Sequence, residues 1–211
     1  MYKMIADGNT LHDDRLETLR ISNAKVTLEL GKTGLFEFTI YPDHLYYNDI
    51  SVMLTMITVY RGSNIIFAVR VLNIKYGFFK EKQVTCEGEL AFLLDSMIAP
   101  HTYSTDFSGY LSYIVEKHNE QVESTKQFVV GDITVGDFTP FYVVENLEYK
   151  SALETLNTRM VQSSDGFLNV RHVGNTRYLD LLSYDVDASN VSSQEIRLGK
   201  NLIDIQRETN S

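Results

Sequence analysis

The chain has no tryptophan, one cysteine and three prolines. Nor does any apolar run approach the ~20 residues of a membrane-spanning helix. Each shortage excludes something. A lone Cys86 rules out an internal disulfide framework and fits a reducing compartment. The opening M-Y-K-M-I-A-D-G lacks the apolar stretch of a secretory signal, so folding in a cytoplasm is expected. Positive charge is scarce too: 19 Lys and Arg stand against 28 Asp and Glu, a net charge of −9. That balance disfavours phosphate backbones, and Lys80-Glu81-Lys82 is neutralised from within.

What is present is ordinary for a globular protein: 44% hydrophobic and 22% charged residues. A chain of 211 residues can bury on the order of 70% of its unfolded surface, in one or two domains. Thirteen Tyr and eleven Phe are more distinctive. Strand packing is their plainer use, and interfaces are the second, because a Tyr ring buries area while its hydroxyl tolerates water.

Strand periodicity dominates from Leu16 to Phe79. Val26, Leu28 and Leu30 alternate with polar residues, Gly31 to Gly34 turns the chain, and Phe36, Phe38 and Ile40 alternate on the return. This predicts a β-hairpin. After Pro42 comes an excursion, D-H-L-Y-Y-N-D. A second hairpin is predicted over Met53–Tyr60 and Ile65–Phe79, and Lys80–Lys82 turns into a strand at Gln83–Glu87. A meander of this size can curl into a small barrel or sandwich.

Helical periodicity appears in three places. Leu90–Ile98 is apolar nearly all round, which predicts a short buried helix. Asp106 can cap a longer one with Phe107, Leu111, Ile114, His118 and Val122 close to one face. Ser151-Ala152-Leu153-Glu154 is a capping box opening a helix with an apolar stripe of Leu153, Leu156 and Met160, and Gly166 suits its left-handed C-cap. Another hairpin is predicted over Phe167–His172 and Thr176–Leu182. A last pair, Glu195–Leu198 with Leu202–Arg207, ends on a strand expected to return to the first β unit. The expected fold class is α+β, mainly β. A small β-barrel domain (1–98 plus 185–211) holds an inserted α+β domain (99–184).

The candidate chemistry is thin. Gly31-Lys32-Thr33 imitates a phosphate-binding loop, but Val26 stands where the motif needs its first Gly, and a strand rather than a helix follows. Cys86 would be a nucleophile only with a histidine beside it, and its strand setting makes it a small apolar residue. Glu87 next to it likewise reads as scaffold. His12, His44, His101, His118 and His172 are scattered without metal-site spacing. His118, on an apolar helix face, reads as a packed residue. Asp13-Asp14 could in principle supply a glycosidase's two carboxylates but lie among turn signals, where a solvated surface is expected. Asn190-Val191-Ser192 is a chance glycosylation sequon in a chain without a secretion signal. No catalytic, cofactor or metal site is assigned.

Four segments carry a resemblance. Y-K-M-I-A-D-G, G-L-F-E-F-T-I, V-T-C-E-G-E-L-A-F-L-L-D-S and N-L-I-D-I-Q-R-E resemble the N-terminal region of siphophage tail-associated lysins, also known as prophage endopeptidase tail proteins. A-L-E-T-L-N-T-R-M-V followed by G-F-L-N-V-R fits the same pattern, so the resemblance covers Met1 to Arg207. It implies a baseplate hub, trimeric in the virion, with small barrel domains like those of tail-tube proteins. It also implies contacts with further copies and with the distal tail protein, and a lumen through which DNA passes without specific binding. Members of that family continue into a second barrel and often a lysin region; the residues here carry neither. The expectation is a non-enzymatic structural protein, a monomer or weak self-associator when isolated. The alternatives are a cell-wall peptidase domain or a glycan-binding module using exposed Tyr46 and Tyr47.

Overall fold

Asp7 and Gly8 both take positive φ, 47° and 86°. That is the geometry of a two-residue hairpin turn whose twist matches its strands. It folds β1 (Tyr2–Ala6) onto β2 (Asn9–Asp13). The computed structural model describes residues 2–135, 142–174 and 176–184. Next come β3 (Ser22–Thr27), β4 (Leu35–Ile40), β5 (Met56–Arg61), β6 (Asn64–Tyr76) and β7 (Lys82–Gly88). These seven form one antiparallel sheet in the order β2-β1-β5-β6-β7-β4-β3. It curls into a half-barrel in which, among the described residues, β2 and β3 are the edges and do not close on each other.

The concave face is filled by alternate residues of the strands. Leu11, Phe36, Ile40, Ile57, Val69, Val71 and Cys86 have no exposed surface. Fully burying such a side chain stabilises the fold by about 1.5–3 kcal/mol. A short 3-10 turn (Tyr47–Asp49) in the Pro42 excursion closes one side, with Tyr46 and Tyr47 packed against this core.

The first predicted hairpin forms, and its two apolar sets differ: Phe36, Phe38 and Ile40 are buried, and the set on the first strand is not. Val26, Leu28 and Leu30 are exposed, and the connection runs from Leu28 to Gly34. The physical reason is position: β3 is an edge strand, and its pairing with β4 slips between Ser22 and Lys25.

A second core begins where β7 ends. Gly88 is extended (φ −75°, ψ 170°) and leads into a 3-10 helix (Glu89–Leu94) and then β8 (Met97–Ile98). The predicted single helix over Leu90–Ile98 is thus a tighter turn plus a two-residue strand. β9 (His101–Thr105) precedes α1 (Phe107–Asn119), whose N-cap Asp106 accepts the Gly109 N–H at 2.6 Å. The helix ends at Asn119, short of Val122.

Then follow β10 (Val129–Ile133), β11 (Tyr142–Asn146) and β12 (Lys150–Ser151). β11 pairs with β9, and β12 with β8. The Ser151 cap forms as expected, accepting the Glu154 N–H. α2 (Ala152–Leu156) runs through a π-helical turn (Asn157–Val161) into α3 (Gln162–Ser164). Asp165, not Gly166, takes the left-handed cap (φ 49°), and Gly166 opens β13 (Gly166–Val173). A Cβ on Gly166 would lie 2.5 Å from Val135 Cγ1 and 2.7 Å from the Leu182 carbonyl, so the glycine serves close packing.

β14 (Thr176–Ser183) lies between β13, antiparallel, and β10, parallel. The second core joins Leu90, Phe92, Leu93 and Ile98 with α1, α2 and this three-stranded sheet. Among the described residues no helix is long and apolar enough to cross a membrane. The predicted Glu195–Leu198 and Leu202–Arg207 strands, and Asn190-Val191-Ser192, lie outside the described residues.

Candidate functional site

The segment from Glu87 to Asp95 connects the two cores, and charged side chains from both converge on it. Arg70, in the middle of β6, is 2% exposed. Its guanidinium donates to Glu87 Oε1 through Nε at 3.0 Å, and also to Asp95. Lys126 adds a second cation to Asp95 at 3.1 Å. Burial raises the Asp95 carboxyl, but the bonds from Arg70 and Lys126 outweigh it and hold it below its ordinary value.

Glu89, one residue past Gly88, is 6% exposed and reaches the other way. It meets His172 of β13 at 2.6 Å and the guanidinium of Arg177 of β14. Arg177 also donates to the carbonyls of Thr125 and Gln127, at 2.9 and 3.2 Å. Two buried acids two residues apart are therefore each held by an arginine from a different sheet. Breaking such a pair leaves a buried charge unmatched, which costs about 3–5 kcal/mol.

Beside this network lies a cleft of about 530 Å³. One wall is the β3–β4 connection (Leu28 to Thr33), another is the start of β6 (Ile65 to Ala68), and the third is β13 (Phe167 to His172). The walls are mixed: Leu28, Leu30 and Ile66 are exposed apolar groups, while Lys32, Arg171 and His172 are polar. Two of the charges are already matched. Lys32 pairs with Glu29 at 3.2 Å, and Arg171 with Asp180 and Asp132 at 3.0 and 2.9 Å.

The structure separates the residues that chemistry would need together. Cys86 is fully buried in the first core, and burial pushes its thiol up to about 12. The five histidines each serve a local bond. His44 donates to the Leu11 carbonyl at 2.9 Å, His101 accepts the Tyr110 hydroxyl at 2.9 Å, and His172 holds Glu89. His12 contacts Asp14 at 3.1 Å. His118 donates to the Lys126 carbonyl at 3.1 Å and accepts the Ser96 hydroxyl at 2.8 Å, fully buried as its helix face predicts. Among the described residues, no group of three or more His, Cys, Asp and Glu side chains could hold a metal ion.

Asp13 departs from expectation: it is buried, not solvated, and Arg15 holds it through two bonds at 2.9 and 2.6 Å. Asp14 instead accepts the Tyr2 N–H at 2.7 Å, so the two carboxylates have different partners. Lys32 sits in a hairpin connection that continues into β4, which excludes the phosphate-loop geometry. Tyr46 and Tyr47 are half-buried instead of exposed. The Tyr47 hydroxyl donates to the Lys80 carbonyl, and Lys82 Nζ lies 4.5 Å from its ring centroid.

No family model matches the chain's sequence, and no curated protein matches it. Solved structures do. Prophage tail protein gp18 from Listeria monocytogenes superposes with a TM-score of 0.59 over 86% of this chain at 12% identity. The chain has the fold of phage tail proteins. The 43 kDa tail protein of prophage MuSo2 from Shewanella oneidensis gives 0.54 over 86% at 11% identity. A tail protein from Neisseria meningitidis gives 0.57 over 84% at 10% identity. The chain spans 50, 53 and 50% of those three proteins, about half the length of each. In this tail-protein fold the Glu87–Glu89 junction is what sets the half-barrel against the second core.

Proposed function

We propose that the protein is a structural component of a phage tail and that it acts as a hub at the tail tip. The observation that carries this reading is the fold, shared over 84 to 86% of the chain with three prophage tail proteins. In this reading three copies ring the tip, joining the distal tail protein above to the host-attachment apparatus below. Two features support a role in assembly. Among the described residues the half-barrel keeps two open edges, which are natural templates for pairing with another chain. Edge strand β3 and its connection also leave Val26, Leu28 and Leu30 exposed. The net charge of −9 suits a wall past which DNA slides without sticking.

Gold-labelled antibody against the chain tests the placement on intact virions. Label is expected at the end of the tail farthest from the head; label along the whole tube, or none on the virion, overturns the tip reading. Incubation with purified peptidoglycan tests the non-enzymatic part, and release of muropeptides would make this a lysin domain. In light scattering the isolated chain is expected as a monomer or weak self-associator, whereas a stable trimer at micromolar concentration would contradict that.

A further inference from the structure

The turn between β6 and β7 holds two phenyl rings out in water. Phe78 and Phe79 are 91 and 75% exposed, and their rings meet edge to face at 5.1 Å. The turn is built to keep them there. The Glu81 carboxylate folds under the loop and accepts the Phe79 N–H at 3.0 Å. It occupies the space a Cβ on Gly77 would need, 1.9 Å from Glu81 Oε1. Lys82 Nζ fastens the base of the hairpin, donating to the Tyr47 and Ile50 carbonyls at 2.6 and 3.3 Å. An exposed apolar pair on a fastened turn is a mark of a contact surface.

The junction cleft is a concavity with exposed apolar walls, and it opens at the other end of the same strand. Ile66 lines it near the start of β6, and Tyr76 ends β6 beside the Phe78–Phe79 turn. At ~3.3 Å per residue the two features stand about 30 Å apart, so a chain cannot seat its own turn in its own cleft. We propose that the Phe78–Phe79 turn of one copy seats in the cleft of a second copy, between Leu30, Ile66 and Phe167. Such a contact joins two different patches, so it propagates head to tail and closes into a ring where the rotation allows.

Burying two phenyl side chains removes roughly 300–500 Å² from water. A stable pair needs about 800 Å² per partner, so one such contact makes only a weak dimer. The isolated chain therefore self-associates weakly, and only a closed ring, in which every copy both gives and receives the contact, holds it more firmly. The inference rests on the reading of the chain as a multi-copy tail component. Its test uses the isolated protein, so its failure is separable from a failure of virion labelling.

Two variants with surface changes only, F78D/F79D and L30R/I66R, each keep one half of the contact. Far-ultraviolet circular dichroism and thermal melting should match the parent chain for both. In sedimentation velocity at rising concentration, the parent is expected to self-associate, and each variant alone at least tenfold more weakly. Mixed together, the variants should form a 1:1 dimer that grows no further, because one intact turn and one intact cleft remain. A second readout is disulfide capture between F79C and L30C on separate copies, for which buried Cys86 is silent. A parent that stays monomeric, a variant that associates like the parent, or an unreactive mixture each overturns the proposal. Turn-dependent binding to neutral phosphatidylcholine vesicles with self-association unchanged also overturns it, and assigns the turn to a membrane.

Discussion

Arg70 and Arg177 stand against the same aromatic ring. Their guanidinium carbons lie 5.4 and 4.9 Å from the centroid of Phe92. One arginine belongs to the half-barrel and the other to the second sheet, so a single side chain in the 3-10 helix contacts a cation from each. Phe92 is fully buried. Phe92→Ala is expected to destabilise the fold by about 3–5 kcal/mol, the range for emptying a buried aromatic site. Urea unfolding followed by far-ultraviolet circular dichroism checks it, and a loss under 1 kcal/mol would show that the ring is not a keystone.

Arg70 should tolerate change unequally. Arg70→Ala leaves Glu87 and Asp95 without their shared cation and is expected to cost about 3–5 kcal/mol. R70M/E87Q/D95N removes the charges together and should cost less than R70A alone. If the triple variant is the weaker protein, the network stabilises more than its desolvation costs.

Asp95 adds a sign on the acid side. Its carboxyl sits below the ordinary value, so its contribution is complete above about 3.9 and is lost as pH falls through the lower folded value. Urea titrations from pH 5 to pH 2 should therefore show a shallower loss of stability in D95N than in the parent. Equal slopes would mean that Asp95 titrates alike in the folded and unfolded chain.

His118 acts nearer to neutral. Burial lowers its folded pKa, and the bond to the Lys126 carbonyl only partly offsets this. The unfolded chain then binds the proton first. Stability contributed by the neutral ring is complete above about 6.5 and falls as pH drops below that, levelling off beneath the folded value. His118→Gln should lose stability overall and flatten the difference between pH 7 and pH 5. The other four histidines are the same in both proteins, so the comparison isolates this one.

Cys86 should behave as a hydrocarbon. Its thiol is shielded and pushed up to about 12, so thiolate is scarce at pH 8. Thiol reagents are expected to leave the native chain untouched at that pH and to modify one group per chain in urea. Rapid labelling of the native protein would show that the half-barrel opens readily around β7.

Much of this fold is legible in the chain because period-two alternation reports strands directly. The β6–β7 and β13–β14 hairpins, the Asp106 cap and the Ser151 cap all follow from local pattern. The β1–β2 hairpin was equally available in Asp7-Gly8 between alternating residues. Alternation names a face without saying whether anything covers it: Val26, Leu28 and Leu30 alternate as Phe36, Phe38 and Ile40 do, yet only the second set is buried. A charge inside F-A-V-R-V is a signal that Arg70 must find buried partners. Which acids it finds is a tertiary fact, as is the meeting of Glu89 with an arginine 88 residues away. The Asp165 cap and the π-helical turn answer to packing around Gly166 and the second core, and local preference does not reach that far.

The order in which the two cores can close follows from where their last strands lie. Among the described residues the half-barrel sheet has all its strands by Gly88, whereas the second core waits for β14 and Leu181. On the ribosome, Arg70 can meet Glu87 as soon as that strand emerges. Glu89 then leaves with no arginine to receive it until nearly ninety further residues have been added. Synthesis would thus pass through a chain whose first unit is folded and whose junction acid is still in water. The barrier of drying that acid therefore falls late, once β14 has been added.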